Sequence, residues 1–385
     1  MMGQSDNQPQ LYHTVRIEQL VPENHPFRRI RPLIDAERIR ELCKPFYCEN
    51  NGRPSVPPEQ LFLAMVGGYL LGARSDRKLV MELQCNMAFR WFVGLDIDSA
   101  VWDDTTFSKA RTQRFDETDV MEQLFDDTVK TAMKKGWVSL HWSVDGTLVK
   151  ANASHKSFQP IEVLQKPEDY RKAMKSQKKE ENESSRDDDN DHGNPTVDWK
   201  GQKRSNATHR STTDPDSRLA TKSSRETVSP GYTVNGVMDN RSRILLGIGV
   251  EIFRGPTSER EGALALLKRA RDKIYTGPKT LGADKGYFEK EFIKALFRRR
   301  IAPHIAPLEK GTSKVYKRVR QRVRGAAFRM SQRARKKIEE LWGEAKEQHH
   351  FRQFLRRIIH RVRQETLLMG WTLNLKRLAT LSAYA

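Results

Sequence analysis

At Trp137 the hydrophobic period of this chain changes, and the change limits what the polypeptide can fold into. Upstream, "DAERIRELCKPF" from Asp35, "PPEQLFLAMVGGYLL" from Pro57 and "SDRKLVMELQCNMAFRWFVG" from Ser75 each place a capping residue or proline ahead of helically spaced apolar positions. Downstream, "VSLHWSVD" alternates, with Leu140, Trp142 and Val144 on one face and Ser139, His141, Ser143 and Asp145 on the other, as a strand requires. This predicts a helical unit over residues 1–135 and a second unit over 136–385. The break at Gly72 between two helices fits either a DNA-reading helix-turn-helix or, more commonly, a simple packed pair. Asp103 or Asp104 in "VWDDTTFSKAR" reads as a helix cap.

Beyond the first strand, residues from about 159 to 228 lack apolar periodicity and read as a solvated, mobile insertion within the second unit. Asp187, Asp188, Asp189 and Asp191 lack the glycine turn and terminal glutamate of a calcium loop, so a charge run is the better reading. From Tyr232, "YTVNGVMD" and "ILLGIGVEIF" are strands joined by a turn, completing a three-strand antiparallel meander. "SEREGALALLKRARDKI" is an amphipathic helix opening on a Ser-x-x-Glu capping box at Ser258. A strand ending at Asp284, a helix, the strand "IAPHIAP", a basic loop and long helices from about Met330 follow. The order predicts an α/β unit with a mixed sheet.

Charge then narrows the partner. The chain holds 69 lysines and arginines against 49 acids, a net charge of +20 with a pI near 9.9, which points to a polyanion. The excess concentrates between Leu308 and Arg377, with 20 basic residues against 6 acids, where phosphate contacts are expected. The 3 cysteines carry neither a disulfide framework nor a zinc-ribbon spacing. With no leader and no apolar run of membrane length, the expectation is a soluble protein of a reducing cytoplasm, without membrane contact.

Against that basic background, three carboxylates stand out. Asp145 and Asp284 each end a predicted strand before a glycine-containing turn, and neighbouring strand ends would bring them to one rim. Either alone is more often a turn residue. In "RARKKIEELWGEAK", Ile338, Leu341, Trp342 and Ala345 form a buried stripe, Glu339 borders it, and Glu340 and Glu344 point away. Arg335, Glu339 and Lys346 fall on nearly one line of that helix, and an i,i+4 ion pair is the plain alternative for the first two. Hard cations such as Mg²⁺ need only a few carboxylates plus water and phosphate oxygens, and two of them about 4 Å apart support in-line displacement at phosphorus.

"SVDGTLVKANASHKSF", "TLGADKGY" and "RARKKIEELWGEAK", in this order around an interrupted strand-rich unit, resemble the DDE transposases of bacterial insertion sequences, in the branch with a Tyr-x2-Arg-x3-Glu-x6-Lys signature. Arg335, Glu339 and Lys346 keep the intervals, and Gln332 stands where tyrosine is expected. "NGRPSVPPEQLFLAMVGGYLLGARSDRKL" and "FRWFVGLD" resemble the helical N-terminal part of the same family. The resemblance implies an RNase H-like core in which Asp145, Asp284 and Glu339 hold two Mg²⁺ ions, with Mn²⁺ able to substitute. It implies cleavage at transposon ends, then attack of the freed 3′-hydroxyl on target DNA. Gly146 would admit a phosphate backbone; Arg335, Lys346, Arg204 and Lys285 would contact DNA; and a homodimer would pair the terminal inverted repeats. The alternatives are an RNase H-like nuclease without strand transfer and a noncatalytic DNA-binding protein. His349 and His350 read as surface groups, His304 as a satisfied buried imidazole, and Trp342 and Trp371 as core.

Overall fold

Caps and prolines set the N-terminal helices as their chemistry requires. The computed structural model describes residues 15–48, 55–73, 75–161, 204–221, 227–309, 311–323 and 325–384. Helices α1 (Ile17–Leu20), α2 (Pro26–Ile30), α3 (Ala36–Cys43), α4 (Pro58–Leu70), α5 (Asp76–Cys85), α6 (Met87–Val93), α7 (Thr105–Ala110) and α8 (Val120–Lys134) precede the first strand. Asp35 accepts from the Arg38 N–H at 2.9 Å, Ser75 accepts from the Lys78 N–H at 3.1 Å, and Pro58 fills the first position of α4. The run from Ser75, expected as one helix, divides at Asn86. Its side chain accepts from the Phe89 N–H at 3.0 Å and caps α6, since a short amide competes well for nearby backbone donors. Asp104 stands at the N-cap of α7 without a side-chain cap bond, and the preceding Asp103 accepts from the Thr105 N–H at 2.8 Å.

The strands are β1 (His141–Lys150), β2 (Phe158–Pro160), β3 (His209–Ser211), β4 (Arg218–Ala220), β5 (Ser229–Asp239), β6 (Leu245–Ile252), β7 (Thr280–Ala283) and β8 (Ala302–Ile305). Pairing gives the order β6-β5-β1-β7-β8, with β6, β5 and β1 antiparallel and β7 and β8 parallel to β1. This is the expected mixed, RNase H-like sheet behind a helical N-terminal part. Strand β4 pairs with the start of β5, and β2 and β3 form a separate ribbon.

Two expectations need correcting. Strand β1 does not stop at Asp145: it runs on through Gly146 to Lys150, paired with β5 from Trp142↔Asp239 to Lys150↔Gly231. The Asp-Gly dipeptide is therefore mid-strand, because β5 supplies a continuous row of partners that outweighs the local turn preference. The interval 159–228 is also not structureless throughout, since β3 and β4 lie within it; Asp187, Asp188, Asp189 and Asp191 lie outside the described residues.

Helices cover both faces of the sheet. Helix α9 (Pro256–Ile274) packs on one face, with Leu266 against Gly247 and Gly249. Its cap also differs from expectation: Pro256 is the first helical residue, and Ser258 lies inside the first turn with its hydroxyl donating to the Gly255 carbonyl at 2.7 Å. The connections continue through α10 (Lys290–Arg298) and α11 (Lys314–Arg322). Helices α12 (Ala326–Glu347) and α13 (Ile359–Ser382) cover the other face, where Trp342 lies over Gly236 and Gly370 meets Ile248. A contiguous apolar cluster runs from Phe27 in α2 through the sheet to Ala379 in α13, with Trp342 and Trp371 inside it. Among the described residues no helix is long and apolar enough to cross a membrane. Cys43 is buried, and Cys43, Cys48 and Cys85 are free thiols.

His349 is no surface group: it is 4 % exposed and its Nδ1 lies 2.9 Å from the Tyr69 carbonyl of α4. Glu344 faces α13 instead of solvent, pairing with Lys376 at 2.5 Å, because the second long helix occupies the side that one amphipathic helix alone would leave wet.

Candidate active site at the β1–β7 rim

The register of the parallel pair brings the two aspartates together. His141, Trp142 and Ser143 stand beside Thr280, Leu281 and Gly282, and the same register carried two residues further sets Asp284 beside Asp145. Strand β7 ends at Ala283, so beyond Ser143 the flank of β1 loses its neighbour. Asp145 therefore looks onto an opening instead of another strand. Asp284 behaves as a turn residue as well, accepting from the Gly286 N–H at 2.8 Å and capping the short turn Lys285–Tyr287.

Alternation along β1 decides what lies above these groups. Ser143, Asp145 and Thr147 share the face toward α12, and α12 is fastened there at several points. A β-carbon at Gly282 would stand 3.0 Å from Ser331 Oγ, and one at Gly236, directly across from Asp145, would stand 2.7 Å from the Trp342 ring. Lys346 Nζ donates to Thr147 Oγ1 at 2.6 Å and to the Leu148 carbonyl at 2.9 Å. Glu339 lies between these anchors and pairs with Arg335 at 2.6 Å, the plain ion pair that its spacing allowed. Gln332, in the place of the expected tyrosine, donates to the His304 carbonyl of β8 at 2.7 Å.

Electrostatics tie the set together. Burial first, and then the Asp284 carboxylate, push the Asp145 carboxyl up to about 7; Arg335 opposes the rise, while Glu259 and Glu339 add to it. Asp284, Glu259 and Glu339 are thus each near enough to act on Asp145. Like charges held this way in low dielectric favour a proton or a cation as counter-charge. The oxygen donors suit a hard divalent ion, although among the described residues no three His, Cys, Asp or Glu side chains converge tightly enough to close on one.

The four expected DNA contacts separate. Arg335 is at the rim, beside Glu339, and Lys285 is exposed next to Asp284. Lys346 is engaged with β1. Arg204 lies beside His155, whose protonated form it disfavours after burial, near the small β2–β3 ribbon. The space above Gly146, expected to admit a phosphate backbone, is taken by Glu259 and Asn235, whose Cγ and Oδ1 would be 2.7 and 3.1 Å from a β-carbon there. His304 packs 5.7 Å from the His141 ring and its buried Nδ1 has no hydrogen-bond partner, so it is not the satisfied imidazole expected.

Sequence reasoning missed Glu259 and Tyr287. Nothing in the sequence singled out Glu259, which is one acid of the α9 first turn that opens at Pro256. Tyr287, three residues after Asp284, is 1 % exposed and its hydroxyl has no hydrogen-bond partner.

An RNase H-like sheet with acids gathered where a parallel strand leaves it defines a class of nucleic-acid-processing folds. Residues 15–113 match the family described as Transposase domain (DUF772), and residues 196–375 match the Transposase DDE domain. The chain thus carries a DDE transposase domain downstream of an N-terminal transposase domain. No curated protein compared with it matches. Two solved structures are similar at 8% identity and a TM-score of 0.20: a Mos1 transposase paired-end complex with the left transposon end, covering 79% of this chain and 82% of that one, and a pre-cleavage Mos1 transpososome, covering 86% and 81%.

Proposed function

We propose that this protein is an insertion-sequence transposase of the Tyr-Arg-Glu-Lys-signature branch, cutting DNA at terminal inverted repeats and joining the freed 3′-ends to target DNA. The observation that carries the reading is the half-buried Asp145, flanked in register by Asp284 and acted on by Glu339 from α12. In this reading Asp145, Asp284 and Glu339 hold two Mg²⁺ ions, or Mn²⁺ in their place. When bound, these ions would activate the attacking oxygen and stabilise the leaving one in each in-line displacement.

The chain's own groups then have separate tasks. Asp145 and Asp284 fix the position of the scissile phosphate relative to the sheet, because both hang from one parallel register. Arg335 supplies a guanidinium to a phosphate oxygen where negative charge grows. Lys285, exposed beside Asp284, contacts the backbone further along, and Arg204 touches DNA from the flank. Lys346 spends donors on β1, so its main contribution is to hold Glu339 over the rim. Pairing two ends requires two copies of the chain, which we assign to a homodimer.

The test uses the full chain with a labelled duplex carrying one inverted-repeat end and a supercoiled target. End-specific nicking and joined product should both need Mg²⁺ and should each fall roughly 100-fold or more in Asp145→Asn, Asp284→Asn and Glu339→Gln, with DNA retention unchanged. Cutting without joining would favour a nuclease. Unaltered metal-dependent cutting in Asp145→Asn would overturn the assignment.

A further inference from the structure

The rim holds more acid than this reading uses. Glu259, in the first turn of α9, approaches from the face opposite α12, and a β-carbon at Gly146 would stand 2.7 Å from its Cγ and 3.0 Å from its Cδ. Only a glycine next to Asp145 leaves room for that carboxylate. Because β7 has already left the sheet, side chains from both faces can meet beside Asp145. Two buried polar atoms without hydrogen-bond partners lie at the same place. Asn235 is fully buried, and its Oδ1 would be 3.1 Å from the same Gly146 β-carbon. The hydroxyl of Tyr287, 1 % exposed, lies within the electrostatic reach of Asp145, Glu259 and Asp284. An orphaned buried hydroxyl or amide carbonyl is costly unless something polar arrives. Oxygen donors left over around acids fit a hydrated hard cation, which brings both acceptor positions and water protons.

We infer that Glu259 is a fourth carboxylate of the site, holding the divalent cation from the α9 face opposite Glu339, with the buried Tyr287 hydroxyl as the positioning donor to this carboxylate cluster. The inference rests on the metal-dependent reading above. It gives Gly146 a role as the gap through which Glu259 reaches the rim, and it makes the cation a clasp between α9 and β1.

The measurement is Mn²⁺ binding to the full chain without DNA, followed by electron paramagnetic resonance of free Mn²⁺, for wild type, Glu259→Gln, Glu259→Ala, Tyr287→Phe and Asp145→Asn. Far-ultraviolet circular dichroism checks that each is folded. Glu259→Gln and Glu259→Ala should weaken Mn²⁺ by about 10- to 100-fold, and Tyr287→Phe should weaken it severalfold, as loss of an orienting partner does. Gly146→Ala, which displaces Glu259 without removing its charge, should also weaken Mn²⁺, so the idea stays testable if the glutamate variants do not fold. Loss of binding in Asp145→Asn with wild-type binding in both glutamate variants and Gly146→Ala would overturn this inference alone. Unchanged binding in Asp145→Asn would overturn the metal reading beneath it.

Discussion

Asp145 shows how much a residue's meaning depends on a partner distant in sequence. Its alternating run and the acid in "TLGADKGY" made both aspartates legible as strand-borne carboxylates. That Asp145 sits mid-strand was hidden, because only β5, more than eighty residues on, supplies the hydrogen-bonding row that overrides an Asp-Gly turn. Gly236 carries the corresponding prediction. It stands opposite Asp145 under the Trp342 ring, so Gly236→Ala inserts a methyl where a β-carbon would be 2.7 Å from that ring. Chemical denaturation should show a loss of about 1–3 kcal/mol, the usual result of overpacking, and end cleavage should fall with it as α12 is lifted.

At the scale of elements, α12 depends on α13 for its seat. The stripe of Ile338, Leu341, Trp342 and Ala345 was readable from helical spacing; Ile338, Trp342 and Ala345 are buried and Leu341 is half-buried. The role of Glu344 was not, since an isolated helix says nothing about a second helix on its wet side. His349, 3.7 Å away, and then Lys376, at 2.5 Å, hold the Glu344 carboxyl down at about 2, against an ordinary value of 4.5. A lowered carboxylate contributes stability that is fully present above pH 4.5 and is lost as the pH falls toward 2. Its side chain is 34% exposed, so solvent screening reduces the effect to on the order of 1 kcal/mol. The thermal midpoint of Glu344→Gln should accordingly lie below wild type at neutral pH, with the gap closing through that acid range. A gap independent of pH would show that the pair is not the cause.

For the molecule as a whole, the shared apolar cluster matters more than the change of period at Trp137. That change located the end of α8 at Lys134 and the start of β1 at His141 well. It could not show that Phe62 of α4 packs 6.3 Å from the Trp371 ring of α13, or that Tyr69 of α4 reaches buried Glu365 at 3.3 Å. Residues 136–385 expressed alone would expose the α13 surface that the N-terminal helices cover. We expect that fragment to bind a hydrophobic dye and to lose its near-ultraviolet circular dichroism, and the full chain to unfold in one transition by both probes. A fragment with native-like packing would refute a common core.

The Arg335–Glu339 pair has one further consequence. Each partner screens the other's charge, so an outside ion that engages either one competes with the pair. A cation that drew the glutamate inward would loosen its hold on the guanidinium, and an anion that captured the guanidinium would loosen its hold on the glutamate. On the proposed reading, loading of the two opposite charges would then be mutually reinforcing by the same factor in both directions, making this single turn of helix an exchange point between the ionic atmosphere and the polynucleotide.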